Sequence, residues 1–156
     1  MVRVSARVQE LKRICWLIVA GLLTACSPPP QFTDSQNQPV VLADFAGKPL
    51  LVNYFAPWCA PCLREIPLLE ALAREGQTAV VMVNYDPATP AELAKLAGQY
   101  HIEVPLLIAR QEASLPFPPP AGLPTSYLLD GEGKLQQTLV GELTPSRLEA
   151  LRASVK

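Results

Sequence analysis

Leu50-Leu51-Val52-Asn53-Tyr54-Phe55-Ala56-Pro57-Trp58-Cys59-Ala60-Pro61-Cys62-Leu63-Arg64-Glu65-Ile66-Pro67 decides how this 156-residue chain folds. Leu50 to Phe55 is apolar apart from Asn53, the pattern of a strand buried on both faces. A helix should follow from about Cys59 to Glu75, with Cys62, Ile66, Leu69 and Ala73 on its inner face. Pro67 falls inside it and should bend it. Two cysteines three apart at a helix start share a face and lie close enough to form a disulfide. The first sits among unpaired backbone N–H groups at the positive end of the helix dipole, which favours the attacking thiolate. Cys62, one turn further in, is then the resolving thiol.

Outward from this segment, apolar runs alternate with helical patterns. Phe32 to Leu42 reads as a small hairpin around Ser35-Gln36-Asn37-Gln38, and Gly47 marks another turn. Ala79 to Asn84 is a second buried strand. Thr89-Pro90-Ala91-Glu92 combines an N-cap, a proline at the first helical position and a capping-box acid. Leu93, Leu96 and Tyr100 mark one face of the helix that follows. Val104 to Ile108 reads as a further strand. Leu115-Pro116-Phe117-Pro118-Pro119-Pro120 is too rich in proline for a helix or a central strand. Thr125 to Leu129 and Lys134 to Val140 form a hairpin through Asp130-Gly131-Glu132-Gly133. Thr144-Pro145 starts a last helix with Leu148, Leu151 and Val155 inward. This order implies an α/β fold, a central mixed sheet flanked by helices. The length suits one domain.

The N-terminal leader has a different composition. Arg3, Arg7, Lys12 and Arg13 precede the apolar run Ile14 to Leu23, too short to span a bilayer comfortably but suited to a signal-peptide core. Leu23-Thr24-Ala25-Cys26 resembles the lipobox of bacterial lipoproteins. That resemblance implies a signal peptide over residues 1–25, a lipid-anchored spacer over 26–31 and a domain over 32–156. Cys26 would be the lipidated residue, and Ser27-Pro28-Pro29-Pro30 a stiff spacer. The expected location is the periplasmic face of a bacterial membrane, on either the inner or the outer membrane.

The formal charge is −1 for the whole chain. Without residues 1–25 the chain keeps 9 basic and 13 acidic side chains. A mildly acidic domain offers no patch for a polyanion, so no nucleic-acid partner is expected. With Cys15 in the leader and Cys26 at the anchor, Cys59 and Cys62 remain as a pair. A two-residue loop restrains the unfolded chain very little, so the pair is a poor structural staple. Chemistry is the better reading. Structural zinc wants four ligands, while C-x-x-C supplies two and His101 is the sole histidine, so no metal is expected.

The segment from Leu51 to Pro67 resembles the active-site segment of exported thioredoxin-like proteins of the TlpA/ResA type. The resemblance extends through Gly122-Leu123-Pro124-Thr125 and the Leu129-Asp130-Gly131-Glu132-Gly133 turn, from Phe32 onward. It implies a thioredoxin-like fold and a thiol–disulfide oxidoreductase working through Cys59 and Cys62 without a cofactor. Pro124 would be cis and face the disulfide, with no N–H beside the sulfurs, and Leu123 would pair by backbone with a client peptide. Trp58 would shield the disulfide and pack on the client. Asn53 replaces the buried aspartate of thioredoxins proper and cannot shuttle a proton, while Glu65 matches an acid the relatives keep near the sulfurs. The implied partners are client proteins with thiols or disulfides and a membrane redox donor, with the chain itself a monomer. The family leans towards the reducing direction. Ala113 to Ala121 departs from its pattern, since relatives place a short helical segment there.

Two other functions are compatible with parts of this pattern. A peroxidase of peroxiredoxin type would need Thr-x-x-Cys, and Ala56 occupies the threonine position. A redox-inactive copper- or metal-binding module would behave alike with both cysteines replaced.

Overall fold

The computed structural model describes residues 29–154, so Cys26, the expected leader and Val155 lie outside the described residues. In chain order the strands are β1 Phe32–Asp34, β2 Pro39–Val40, β3 Leu50–Phe55, β4 Ala79–Asn84, β5 Leu106–Ala109, β6 Thr125–Leu129 and β7 Leu135–Val140. The helices are α1 Ala60–Glu75, α2 Pro90–Tyr100 and α3 Pro145–Ser154, with a 3-10 turn at Leu42–Phe45. The strands form one mixed sheet in the order β2-β1-β5-β4-β3-β6-β7. β4 lies parallel to both β3 and β5, and the other pairings are antiparallel.

All six residues of β3 and of β4 are buried, as their continuous apolar runs require. Side chains alternate between the faces. Leu51 and Phe55 join Cys62, Ile66, Leu69 and Leu72 of α1, Leu93 of α2 and Leu148 and Leu151 of α3 in one cluster. Leu50, Val52 and Tyr54 join the other, covered by Leu42, Phe45, Leu115 and Phe117. All three helices therefore contribute to one face, and the 3-10 turn and the proline-rich segment close the opposite one. Phe117 anchors that segment: its ring stacks on Tyr127 at 4.3 Å and meets Tyr54 edge-on at 6.4 Å. Each large side chain buried this way contributes about 1.5–3 kcal/mol before entropy is counted.

The expected element boundaries hold closely except at β5, which starts at Leu106 and not Val104. Pro105 has no N–H for a ladder, and its carbonyl accepts the N–H of Met82 at 2.9 Å. The N–H groups of Glu103 and Val104 are taken by Glu70 Oε1 on α1, at 2.7 and 3.0 Å. A helix side chain thus satisfies the backbone where the strand was expected. Helix α1 continues through Pro67. The Thr89 capping box forms as its spacing implied, and Gly76 ends α1 with φ of 76°, a conformation glycine adopts without strain.

The register sets the site. β3 and β4 end together at Phe55 and Asn84, and Tyr54 lies opposite Thr125 of β6. The loop carrying Cys59, the Tyr85-Asp86 loop and Leu123-Pro124 therefore share one end of the sheet.

Candidate active site

Cys59 is the N-cap of α1, with extended backbone at φ −90° and ψ 94°. Its N–H donates to the Ala56 carbonyl at 3.0 Å, and its own carbonyl accepts from Leu63 at 3.2 Å. The N–H of Cys62 donates to Cys59 Sγ at 3.3 Å, so a free donor of the first turn meets the sulfur. Pro61 sits in the first turn, where a missing N–H removes no helical bond. The two cysteines form a disulfide with Cα atoms 5.3 Å apart. Cys59 is 5% exposed and Cys62 fully buried, so the first sulfur is the accessible one by a narrow margin.

Glu65, one turn beyond Cys62, is fully buried. Its Oε1 accepts from Asn53 Nδ2 at 2.7 Å, and its Oε2 accepts from the backbone N–H of Leu143 at 2.7 Å. The same Asn53 amide nitrogen donates to Ser126 Oγ at 3.0 Å. Burial raises the Glu65 carboxyl to about 6, against the lowering effect of the Leu143 and Asn53 donors. Glu142 raises it further and Arg147 lowers it. A glutamate expected as an acid near the sulfurs is thus placed inside the core, held by β3 and by the loop between β7 and α3.

Trp58 is 65% exposed, so it belongs to the surface beside the cysteines and not to the core. Its indole N–H donates to Asp86 Oδ2 at 2.7 Å, and its ring meets Tyr85 edge-on at 6.5 Å. Asp86 is held in turn by Asn84, whose side-chain amide donates to its carbonyl at 2.8 Å. The Leu123–Pro124 bond is cis. Leu123 packs against both hydrophobic clusters, and the Pro124 carbonyl accepts the N–H of Gly141 at 2.8 Å.

Cys59, Cys62, Glu65, Trp58, Leu123 and Pro124 therefore gather at one end of the sheet, while Cys26 lies outside the described residues. Sequence reasoning missed Tyr85, Asp86, Ser126 and the Gly141–Leu143 loop. Tyr85 and Asp86 carried one usable signal: they leave the carboxyl end of a parallel strand neighbouring β3, the edge where α/β sheets place their sites.

Comparison with known proteins agrees with this geometry. The Redoxin family profile matches residues 24–153. The thioredoxin-like protein YneN of Bacillus subtilis is 35% identical over 69% of this chain, which spans 65% of that protein. Thiol-disulfide oxidoreductase ResA of Bacillus thuringiensis subsp. konkukian is 30% identical, over 75% of this chain and 69% of that protein. Among solved structures, a protein from Chlorobium tepidum described as a thiol:disulfide interchange protein DsbE superposes with a TM-score of 0.63. It is 27% identical, over 82% of this chain and 91% of that one. With a cysteine pair closed as a disulfide at the start of α1 and the mixed sheet behind it, the chain belongs to the Redoxin family, among its thioredoxin-like thiol-disulfide oxidoreductases.

Proposed function

We propose that this chain reduces disulfides in exported client proteins, with Cys59 as nucleophile, while a lipid on Cys26 holds it at the periplasmic face of a bacterial membrane. The observation that carries this reading is the placement of Cys59 at the N-cap of α1, with Cys62 N–H on its sulfur. The reduced enzyme starts the cycle. Cys59 thiolate attacks one sulfur of a client disulfide, forming a mixed disulfide and releasing the other client sulfur as a thiolate. Cys62 then gives up its proton and attacks Cys59, closing the enzyme disulfide and expelling the second client thiolate, which takes a proton from solvent. The client gains two electrons and the enzyme loses two. A membrane-bound dithiol donor resets the pair.

Glu65 is the acceptor for the Cys62 proton in this scheme. It is the carboxylate one turn along the same helix, and its midpoint of about 6 suits proton exchange near neutral pH. Trp58 and the Leu123-Pro124 segment form the surface against which the client strand lies. Its lipid anchor and Ser27-Pro28-Pro29-Pro30 spacer keep the domain close to clients at the membrane.

Replacing the resolving thiol tests the scheme. Cys62→Ala leaves the attacking sulfur but strands the mixed disulfide, so clients should accumulate on Cys59 and be released by reductant. If Cys62→Ala and the double cysteine variant capture the same disulfide-linked partners from periplasmic extract, or neither captures any, Cys59 is not a client-directed nucleophile.

A further inference from the structure

Gly141, Glu142 and Leu143, between β7 and α3, touch both halves of the site. The Gly141 N–H binds the Pro124 carbonyl, and the Leu143 N–H binds Glu65 Oε2. Gly141 has φ of 86°, so the chain reverses sharply at the residue that starts this bridge. Two arginines hold the loop from outside. Arg147 Nη1 on the first turn of α3 donates to the Gly141 carbonyl at 3.0 Å and the Glu142 carbonyl at 2.9 Å. Arg64, the neighbour of Glu65 on α1, forms a two-point ion pair with the Glu142 carboxylate.

The position of Arg147 is unexplained by its own helix. A cation in a first turn opposes the helix dipole. Its guanidinium instead turns back, and the single nitrogen Nη1 donates to two consecutive carbonyls.

We infer that Arg147 is a positioning residue for the disulfide-exchange site, fixing the Gly141–Leu143 loop so that the Leu143 N–H is held against the Glu65 carboxylate. Glu65 is faced by Asn53 of β3, Ser126 beyond that amide on β6, Glu142 and the Leu143 N–H of the loop and Arg147 of α3; on its own helix Cys62 lies one turn before it, and the exposed Arg64 is turned to Glu142. Of these, the Leu143 and Asn53 donors and the Arg147 charge stabilise the ionised carboxylate, and Glu142 opposes it. Releasing the loop removes a hydrogen bond to the charged form and leaves burial less opposed, so the carboxyl should hold its proton to higher pH.

This inference rests on the proposed role of Glu65 only for its effect on rate, so two measurements separate them. The first is carboxyl-carbon NMR titration of Glu65 in the oxidised full chain. In Arg147→Gln the midpoint should rise by roughly half to one pH unit, and Arg147→Lys, which keeps the charge and a multiple N–H donor on a shorter reach, should move it less. An unmoved midpoint in Arg147→Gln overturns the inference. The second is the rate at which Cys62 releases nitrothiobenzoate from a preformed mixed disulfide on Cys59, as a function of pH. The acid limb that Glu65→Gln removes should shift upward in Arg147→Gln, slowing release about two- to fivefold near pH 6 and little in alkali. Equal slowing at every pH, with the limb in place, means a merely structural role and also overturns it. If Glu65→Gln keeps the limb, the proton-acceptor role in the proposed function fails, and the NMR midpoint alone decides the role of Arg147.

Discussion

The indole N–H of Trp58 donates to the carboxylate of Asp86 at 2.7 Å, across the end of the sheet that carries the cysteines. Trp58 is mostly exposed, so packing alone does not fix its ring; the Asp86 bond and the edge-on Tyr85 do. Asp86→Ala should free the ring while leaving the core intact. In protein lacking residues 1–25, Trp58 is the sole tryptophan. Its fluorescence anisotropy should fall in that variant with the unfolding midpoint nearly unchanged. Unchanged anisotropy would show that Tyr85 suffices to hold the ring.

Glu65 makes folding depend on pH in the direction opposite to an ordinary ion-paired acid. Its carboxyl rises from 4.5 to about 6 on folding. Between those values the folded chain keeps a proton that the unfolded chain has released, so this residue's contribution to stability falls as pH rises through the window. The loss is on the order of 2 kcal/mol. Urea unfolding of the oxidised protein should show it as a difference between wild type and Glu65→Gln that changes between about pH 4.5 and 6. A difference that stays constant across that range would contradict the assigned burial effect.

The proline-rich segment should owe its attachment to one ring. Phe117 is 6% exposed and packs on both Tyr54 and Tyr127. Phe117→Ala should cost about 3 kcal/mol or more of folding stability. Both cysteines belong to the cluster on the other face of the sheet, so disulfide exchange by the folded protein should persist. Loss of exchange without loss of stability would mean that the segment shapes the site directly.

The anchor can be checked on native protein from membranes. Mass spectrometry should find a lipid-modified Cys26 as the first residue. Membrane-bound protein that begins at Met1 would remove the lipoprotein reading.

Much of the frame was legible because local signals agreed with the fold. A continuous apolar run marked β3, the C-x-x-C pair fell at a helix start, and Thr89 and Glu92 spelled out a capping box. Glu65 was legible by type and spacing but not by burial, since a helix glutamate reads as solvated until its partners are known. Those partners lie 12 and 78 residues away, on β3 and in the β7–α3 loop. Glu70 misled more directly. Its capture of the Glu103 and Val104 N–H groups delays β5, and nothing local to Val104 reveals it. Phe117 sits in a stretch without periodicity, so its stacking on Tyr127 was invisible for the same reason.

Asn53 gives the buried carboxylate a neighbour that suits either of its states. Its amide nitrogen now faces Glu65, and its oxygen has no hydrogen-bond partner among the described residues. Turned about its last bond, the same amide would offer that oxygen to a protonated carboxyl. An aspartate at this strand position would instead bring a second acid within reach of the first, and the two would titrate as a pair. In the proposed scheme the asparagine leaves Glu65 as the one acid of this buried pair, so a turnover would load and unload it without a second carboxyl at position 53 sharing the charge.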